Sequence, residues 1–196
     1  MRVLAVGDVP SRYYYDFYAP GKLDKFDLIL SAGDLSRAYL EFLTTMSNRP
    51  LVYVRGNHDD AFSKAPPEGC VCAEGRIVVC NGVRILGLGG SFRYRDGENM
   101  YTERQMRRRV WSLQLQLKRY GGFDILLTHA PARGINDLED LPHRGFECFT
   151  DLLEKYEPAY FVHGHIHRSY GIKIPQRSTW RGTTVVNACG HAEFEL

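Results

Sequence analysis

Short apolar runs, each closed by glycine or polar residues, recur along the chain at 2–6, 27–31, 51–54, 76–80, 83–89, 124–128, 159–163 and 183–188, and each has the length of a strand. Between the second and third, Ser36 is placed to cap a segment whose Tyr39, Leu40, Leu43 and Met46 share one face, which predicts a short crossover helix over 36–46. Thr102 and Gln105 form a capping box ahead of Met106, Val110, Leu113 and Leu117, so the longest helix is expected from Thr102 to about Tyr120, ended by Gly121-Gly122. Phe149, Leu152, Leu153 and Tyr156 mark a last helix over 146–156. Strands and helices alternating in this way predict an α/β layered domain. Asn81-Gly82 between two apolar runs signals a hairpin, so the sheet system is expected to be mixed. The stretches 9–22 and 130–145 read as loops and as the walls of a substrate cleft.

Composition narrows the class. A chain of 196 residues, 44% hydrophobic and 24% charged, suits one soluble globular domain spanning 1–196. No apolar run approaches the roughly 18 residues needed to cross a bilayer, and the first six residues stop too early for a signal peptide. The formal charge of +2 gives no global field toward polynucleotide or anionic lipid. Cys70, Cys72, Cys80, Cys148 and Cys189 are odd in number and lack C-x-x-C spacing, which fits reduced thiols and a cytoplasmic location. Arg104, Arg107, Arg108, Arg109, Lys118 and Arg119 decorate the long helix, where a solvated face is the plainer reading and a phosphorylated or polynucleotide partner the sharper one.

Five of the strand ends carry the candidate chemistry: Gly7-Asp8, Gly33-Asp34, Gly56-Asn57-His58-Asp59, Thr128-His129 and Gly164-His165-Ile166-His167. Ligands gather beyond the carboxyl ends of strands in α/β sheets, so these ends can surround one point. Carboxylate, amide oxygen and imidazole suit divalent ions such as Mn, Fe, Zn, Co or Ni. Asn57 beside His58 and Asp59 puts a ligand next to candidate acid–base groups.

In this order the motifs resemble the calcineurin-like metallophosphoesterase superfamily, whose pattern is D-x-H, G-D-x-x, G-N-H-[DE], a later histidine and G-H-x-H. The resemblance implies two mixed β-sheets packed as a sandwich flanked by helices, and a hydrolase acting on a small phosphorylated substrate. It also implies two divalent ions, with Asp34 bridging them, Asn57, His129 and His165 completing one, and Asp8 and His167 serving the other. His58 would stabilise or protonate the leaving oxygen, with Asp59 as its neighbour in the catalytic motif.

The chain departs from the pattern at Pro10, which stands where a histidine is expected. Proline offers no metal-binding side chain, so the Asp8 ion is expected to bind weakly or to recruit water, Asp16 or His191. A small phosphodiester is the preferred substrate class. A phosphoesterase-fold scaffold without hydrolysis and a nuclease remain the rivals. Arg133 and Arg144 are candidate phosphate contacts, Tyr13, Tyr14, Tyr15 and Tyr18 candidate stacking surfaces, and His143 and Asp137 candidate supports for the ligands. His163 is expected to be buried rather than to ligate.

Overall fold

The computed structural model describes residues 1–167 and 174–196. Strand β1 (Arg2–Gly7) lies parallel to β2 (Leu28–Ser31), and helix α1 (Arg37–Ser47) crosses over to β3 (Leu51–Tyr53), which pairs with β4 (Val71–Cys72). A second sheet begins with β5 (Arg76–Cys80) and β6 (Val83–Leu88), joined antiparallel across Asn81-Gly82 as the hairpin signal predicts. The short strands β7 (Ser91–Phe92) and β8 (Met100–Tyr101) then pair with each other, and helices α2 (Glu103–Ser112) and α3 (Gln114–Tyr120) lead into β9 (Ile125–Thr128), parallel to β6. Helix α4 (Glu147–Tyr156), β10 (Tyr160–His163), β11 (Arg177–Trp180) and β12 (Thr183–Asn187) follow, and the strands of that sheet stand in the order β11-β12-β10-β9-β6-β5. Strand β13 (Gly190–Glu195) returns to the first sheet, antiparallel beside β1.

The sheets face each other through Val3, Ala5, Leu28, Leu30 and Val52 on one side and Ile85, Ile125, Leu127, Val162 and Val186 on the other, all buried. Alternate residues point outward. Leu4, Val6, Ile29 and Leu51 pack under Tyr39, Leu40 and Leu43 of α1, while Leu86, Leu126, Phe161 and Val185 pack under α2, α3 and α4. Both faces of each sheet are therefore covered, which is why its inner strands are continuously apolar rather than alternating. The expected sandwich of two mixed sheets flanked by helices is the architecture found.

Differences from the sequence reading have local causes. The long helix breaks at Leu113, whose N–H turns back to the Val110 carbonyl three residues away. That tighter turn lets Met106, Leu113 and Leu117 all reach the same core. Met46 does not join the buried face of α1; it is exposed, and Ser47 is buried instead with its hydroxyl donating to the Leu43 carbonyl. Helix α4 starts one residue late, and its first N–H groups are satisfied by Glu103, which accepts from the backbones of Glu147 and Cys148 at 3.1 and 2.9 Å. None of the five cysteines is in a disulfide, and among the described residues no helix is long and apolar enough to cross a membrane.

Candidate metal centre

The carboxyl ends of β1, β2, β3, β9 and β10 open toward the same side, and the turns that follow them deliver the cluster. Asp8, Asp34, His129 and His165 each offer a ligand atom, and these atoms all lie within 4.8 Å of one another. Three of the four sit in left-handed backbone: Asp8 at φ 61°, Asp34 at 56° and His165 at 66°. Each follows a glycine, Gly7, Gly33 or Gly164. Non-glycine residues held there cost on the order of 1–3 kcal/mol each, strain that clusters at functional sites.

Two of the motif glycines make room for carboxylates. A Cβ on Gly56 would lie 2.0 Å from Asp34 Oδ1, and one on Gly164 would lie 2.8 Å from Asp8 Oδ2. The carboxylates are held from behind by backbone. The His58 N–H donates to Asp34 Oδ1 at 2.8 Å, and the His165 N–H donates to both Asp8 oxygens at 2.9 and 3.0 Å.

Hydrogen bonds orient the rings of both histidines of the cluster. His129 Nδ1–H donates to the Ala32 carbonyl at 2.7 Å, which turns Nε2 toward Asn57 Oδ1 at 3.0 Å and Asp34 Oδ2 at 3.4 Å. His165 Nε2–H donates to the Pro142 carbonyl at 2.9 Å, leaving Nδ1 for the cluster. Burial works against charge on His129, but Asp34 and then Asp8 outweigh it and push its pKa up to about 9. Burial likewise opposes charge on Asp34, yet His129 and the His58 N–H lower it to about 2. Burial dominates at His165, assisted by His129, and lowers it to about 3. Burial also raises Asp8 above the ordinary carboxylate range, against the pull of His129 and His167.

These residues fit a divalent cation. Asn57 Oδ1, Asp34 Oδ2 and His129 Nε2 converge, and in the metal-free protein it is the proton that Asp34 stabilises on Nε2 that lies between them, in the place a divalent ion would take. Asn57 Nδ2 is buried without a partner among the described residues, so the amide is oriented by what its oxygen faces. His167 is farther out. Its Nε2 lies 3.8 Å from Asp8 Oδ1, and its side chain is one-third exposed.

The cluster floors a cavity of about 440 Å³ lined by Asp8, Asp34, Asn57, His58, His165 and His167, with Tyr94, Pro142 and His143 as walls. His58 is exposed on this rim, consistent with its expected place near a leaving group. Asp59 is elsewhere: Oδ2 accepts from the Gly56 and Asp34 backbones at 2.7 and 2.8 Å, behind the ligands, and burial raises its pKa to about 6. The expected catalytic Asp59 is therefore a positioning residue in this geometry.

Arg133 and Arg144 do not reach the cavity as expected. Arg133 is forked onto Asp137 and Glu139 at 2.7 and 2.8 Å, and both arginines line a separate depression with Phe92, Glu103 and Glu147. For Arg133, acidic neighbours in its own loop are the captors. Asp137 accepts from the Gly134 and Gly145 backbones and so braces its own loop rather than a ligand. His143 does line the cavity, held by Asp140 at 2.6 Å.

The tyrosine loop fails as a cleft wall. Tyr14 is buried with its hydroxyl donating to Glu193, Tyr15 packs edge-on against Tyr39 and Phe42, Tyr18 packs against Phe42, and Tyr13 stacks on His191. Neither suggested replacement for the missing histidine lines the cavity. Asp16 pairs with Arg12 at 3.2 Å, and His191 Nδ1 hydrogen-bonds Ser11 Oγ at 2.9 Å. His163 is buried as expected, taking a hydrogen bond from Asn136 at 3.2 Å and lowered to about 4 by burial. Tyr94 is a wall that the sequence reading does not include.

A family model described as calcineurin-like phosphoesterase matches residues 1–169. The chain belongs to this family. One similar solved structure has 14% identity and a TM-score of 0.65, covering 98% of this chain and 93% of that one. The structure of TT1561 from Thermus thermophilus is similar at 16% identity and a TM-score of 0.57, covering 95% of this chain and 88% of that one. At these identities the likeness shows the fold alone. No curated protein matches the chain in sequence.

Proposed function

We propose that the protein is a metal-dependent phosphodiesterase acting on small phosphodiesters. The observation that carries this reading is the convergence of Asp8, Asp34, His129 and His165 within 4.8 Å, with Asp8, Asp34 and His165 lining an open cavity and His129 buried behind them. Asp34, Asn57, His129 and His165 would hold one ion, and Asp8 and His167, with Asp34 beside them, would hold a second. When bound, such ions polarise the phosphoryl oxygens and lower the pKa of the attacking water. His58, on the rim, gives a proton to the leaving oxygen, and Asp59 keeps Asp34 and Gly56 in register through their backbone N–H groups. Tyr94 and His143 flank the substituents of the ester.

The preference for a diester rests on charge. A diester carries one negative charge at phosphorus and a monoester up to two. Arg133, which would suit the second, is held by its own loop. With Mn, kcat/KM for bis-p-nitrophenyl phosphate is expected to exceed that for p-nitrophenyl phosphate, and His58→Ala to lower kcat on the diester by about 10²–10⁴-fold. Faster monoester turnover would overturn the diester preference. Inertness toward both would favour the scaffold reading, which Pro10 motivates. Five cysteines without a disulfide suit a reducing cytoplasm.

Metal binding to the chelator-stripped protein is expected to be coupled to proton release. An ion at His129 Nε2 must displace the proton that Asp34 stabilises there, so affinity rises with pH up to about 9 and about one proton is released at neutral pH. His165, lowered to about 3, adds none. The effect on stability has the opposite sign. The raised His129 stabilises the stripped protein fully below about 6.5, and that contribution is lost as pH rises through about 9. Calorimetry in buffers of different ionisation enthalpy is expected to show one tight ion with proton release and a second, weaker one at Asp8. Two equally tight ions would contradict the argument from Pro10.

A further inference from the structure

The outer face of α2 and α3 carries an apolar feature that the metal centre does not use. Trp111 is 77% exposed and Leu115, one helical turn on, is 83% exposed. Beside Trp111 a groove of about 250 Å³ runs between α2 and α4, walled by Val110, Leu152 and Tyr156, with Lys155 along it. The arginines on this face are not equivalent. Arg107 is spent on Glu103, Glu147 and Asp151, and Arg109 is tied to Glu74 and the Gly89 carbonyl. Arg104 and Arg108 take part in none of these ion pairs, and they share a second depression with Trp111, Arg107 and Glu103, whose carboxylate Arg107 holds. An exposed indole with two uncommitted guanidinium groups beside it joins two residue types enriched at protein–protein interfaces.

We propose that this face docks an acidic protein segment bearing one large apolar side chain, which seats against Trp111 in the groove while its carboxylates pair with Arg104 and Arg108. Charge complementarity selects this occupant. A second copy of the same chain would bring Arg104 and Arg108 against their own kind. A polynucleotide needs a track of cations along its backbone, whereas Arg107 and Arg109 are already paired with carboxylates, and a flat bilayer would leave the groove beside Trp111 unfilled. The proposal is independent of the phosphodiesterase reading.

Panning the intact chain against a random dodecapeptide library tests it. Enriched peptides should carry several Asp or Glu residues around one Trp, Phe or Leu. Their affinity should fall at least about tenfold both in Arg104→Glu/Arg108→Glu and in Trp111→Ser, with the melting temperature of each variant unchanged. Several results would overturn it: no enrichment over the Trp111→Ser protein, enriched peptides without acidic residues, or binding that both variants leave intact. So would a dimer in sedimentation that Trp111→Ser dissolves, or binding to phosphatidylglycerol vesicles or a single-stranded oligonucleotide that the double charge reversal removes while peptides fail to bind.

Discussion

Asp34→Asn is expected to abolish metal-dependent hydrolysis while leaving the fold intact. Asparagine has nearly the same shape, so the His58 N–H keeps an oxygen to donate to, and the glycine-lined space beside Gly56 is still filled. The charge is what disappears. Loss of a partner behind a metal ligand typically costs 10–100-fold in affinity or activity, and Asp34 is a ligand itself, so a fall in kcat beyond about 100-fold is expected. The same substitution removes the strongest influence raising His129, whose pKa should fall from about 9 toward or below its ordinary 6.5. Nuclear magnetic resonance titration of the His129 ring in the stripped protein reads this directly. Lost activity with an unshifted His129 would mean that Asp34 does not face the histidine as described.

Gly56→Ala is expected to be nearly as severe, although it adds a single methyl group to a residue that is no ligand. The new Cβ would lie 2.0 Å from Asp34 Oδ1 and 2.6 Å from the Asp34 backbone nitrogen. Rotating the carboxylate cannot relieve the second contact, so the turn itself must move. Overpacking of this kind costs about 1–3 kcal/mol in well-packed cores, and here the displaced group is the centre of the ligand set. Urea unfolding should show the lost stability, and calorimetry should show the tight ion weakened by more than about tenfold. Gly97→Ala is the comparison, because its Cβ meets only the flexible Met100 side chain at 3.3 Å. Equal, mild effects of the two substitutions would contradict the close approach of Gly56 to Asp34.

The parts of the fold and site that are legible in the sequence are those with local signals. Strand-end motifs are local, and hydrophobic runs locate strands well because both faces of each sheet are buried. Asp8, Asp34, Asn57, His129 and His165 stand out for that reason, and they converge as expected. The left-handed backbone of Asp8, Asp34 and His165 has a trace in the glycine before each, a regularity that the motifs alone do not explain.

Side-chain destinations are less legible, because they depend on partners distant in sequence. Tyr14 is claimed by Glu193, a pairing that no local pattern announces. Arg133 has its captors at 137 and 139 in plain view, but nothing in the spacing tells an ion pair from a phosphate contact. Tyr94 escapes for a topological reason. The hairpin signal marks β6 as an antiparallel partner of β5, whereas β6 also runs parallel to β9. Its carboxyl end is thus a sixth end on the same side, and it delivers the segment that carries Tyr94 to the rim. Strand β13 leaves a fainter trace. Ala192 and Phe194 alternate with polar residues, but Gly190 so close to β12 reads as the end of the pattern.

The central claim is that the Asp34 cluster binds metal to hydrolyse phosphoesters, and the most direct measurement is the rate of bis-p-nitrophenyl phosphate hydrolysis by chelator-stripped protein as a divalent ion is restored. The account predicts no turnover after stripping and turnover that returns and saturates as Mn is added. Turnover that survives stripping, or none with Mn, Fe, Zn, Co or Ni at any concentration, would contradict it.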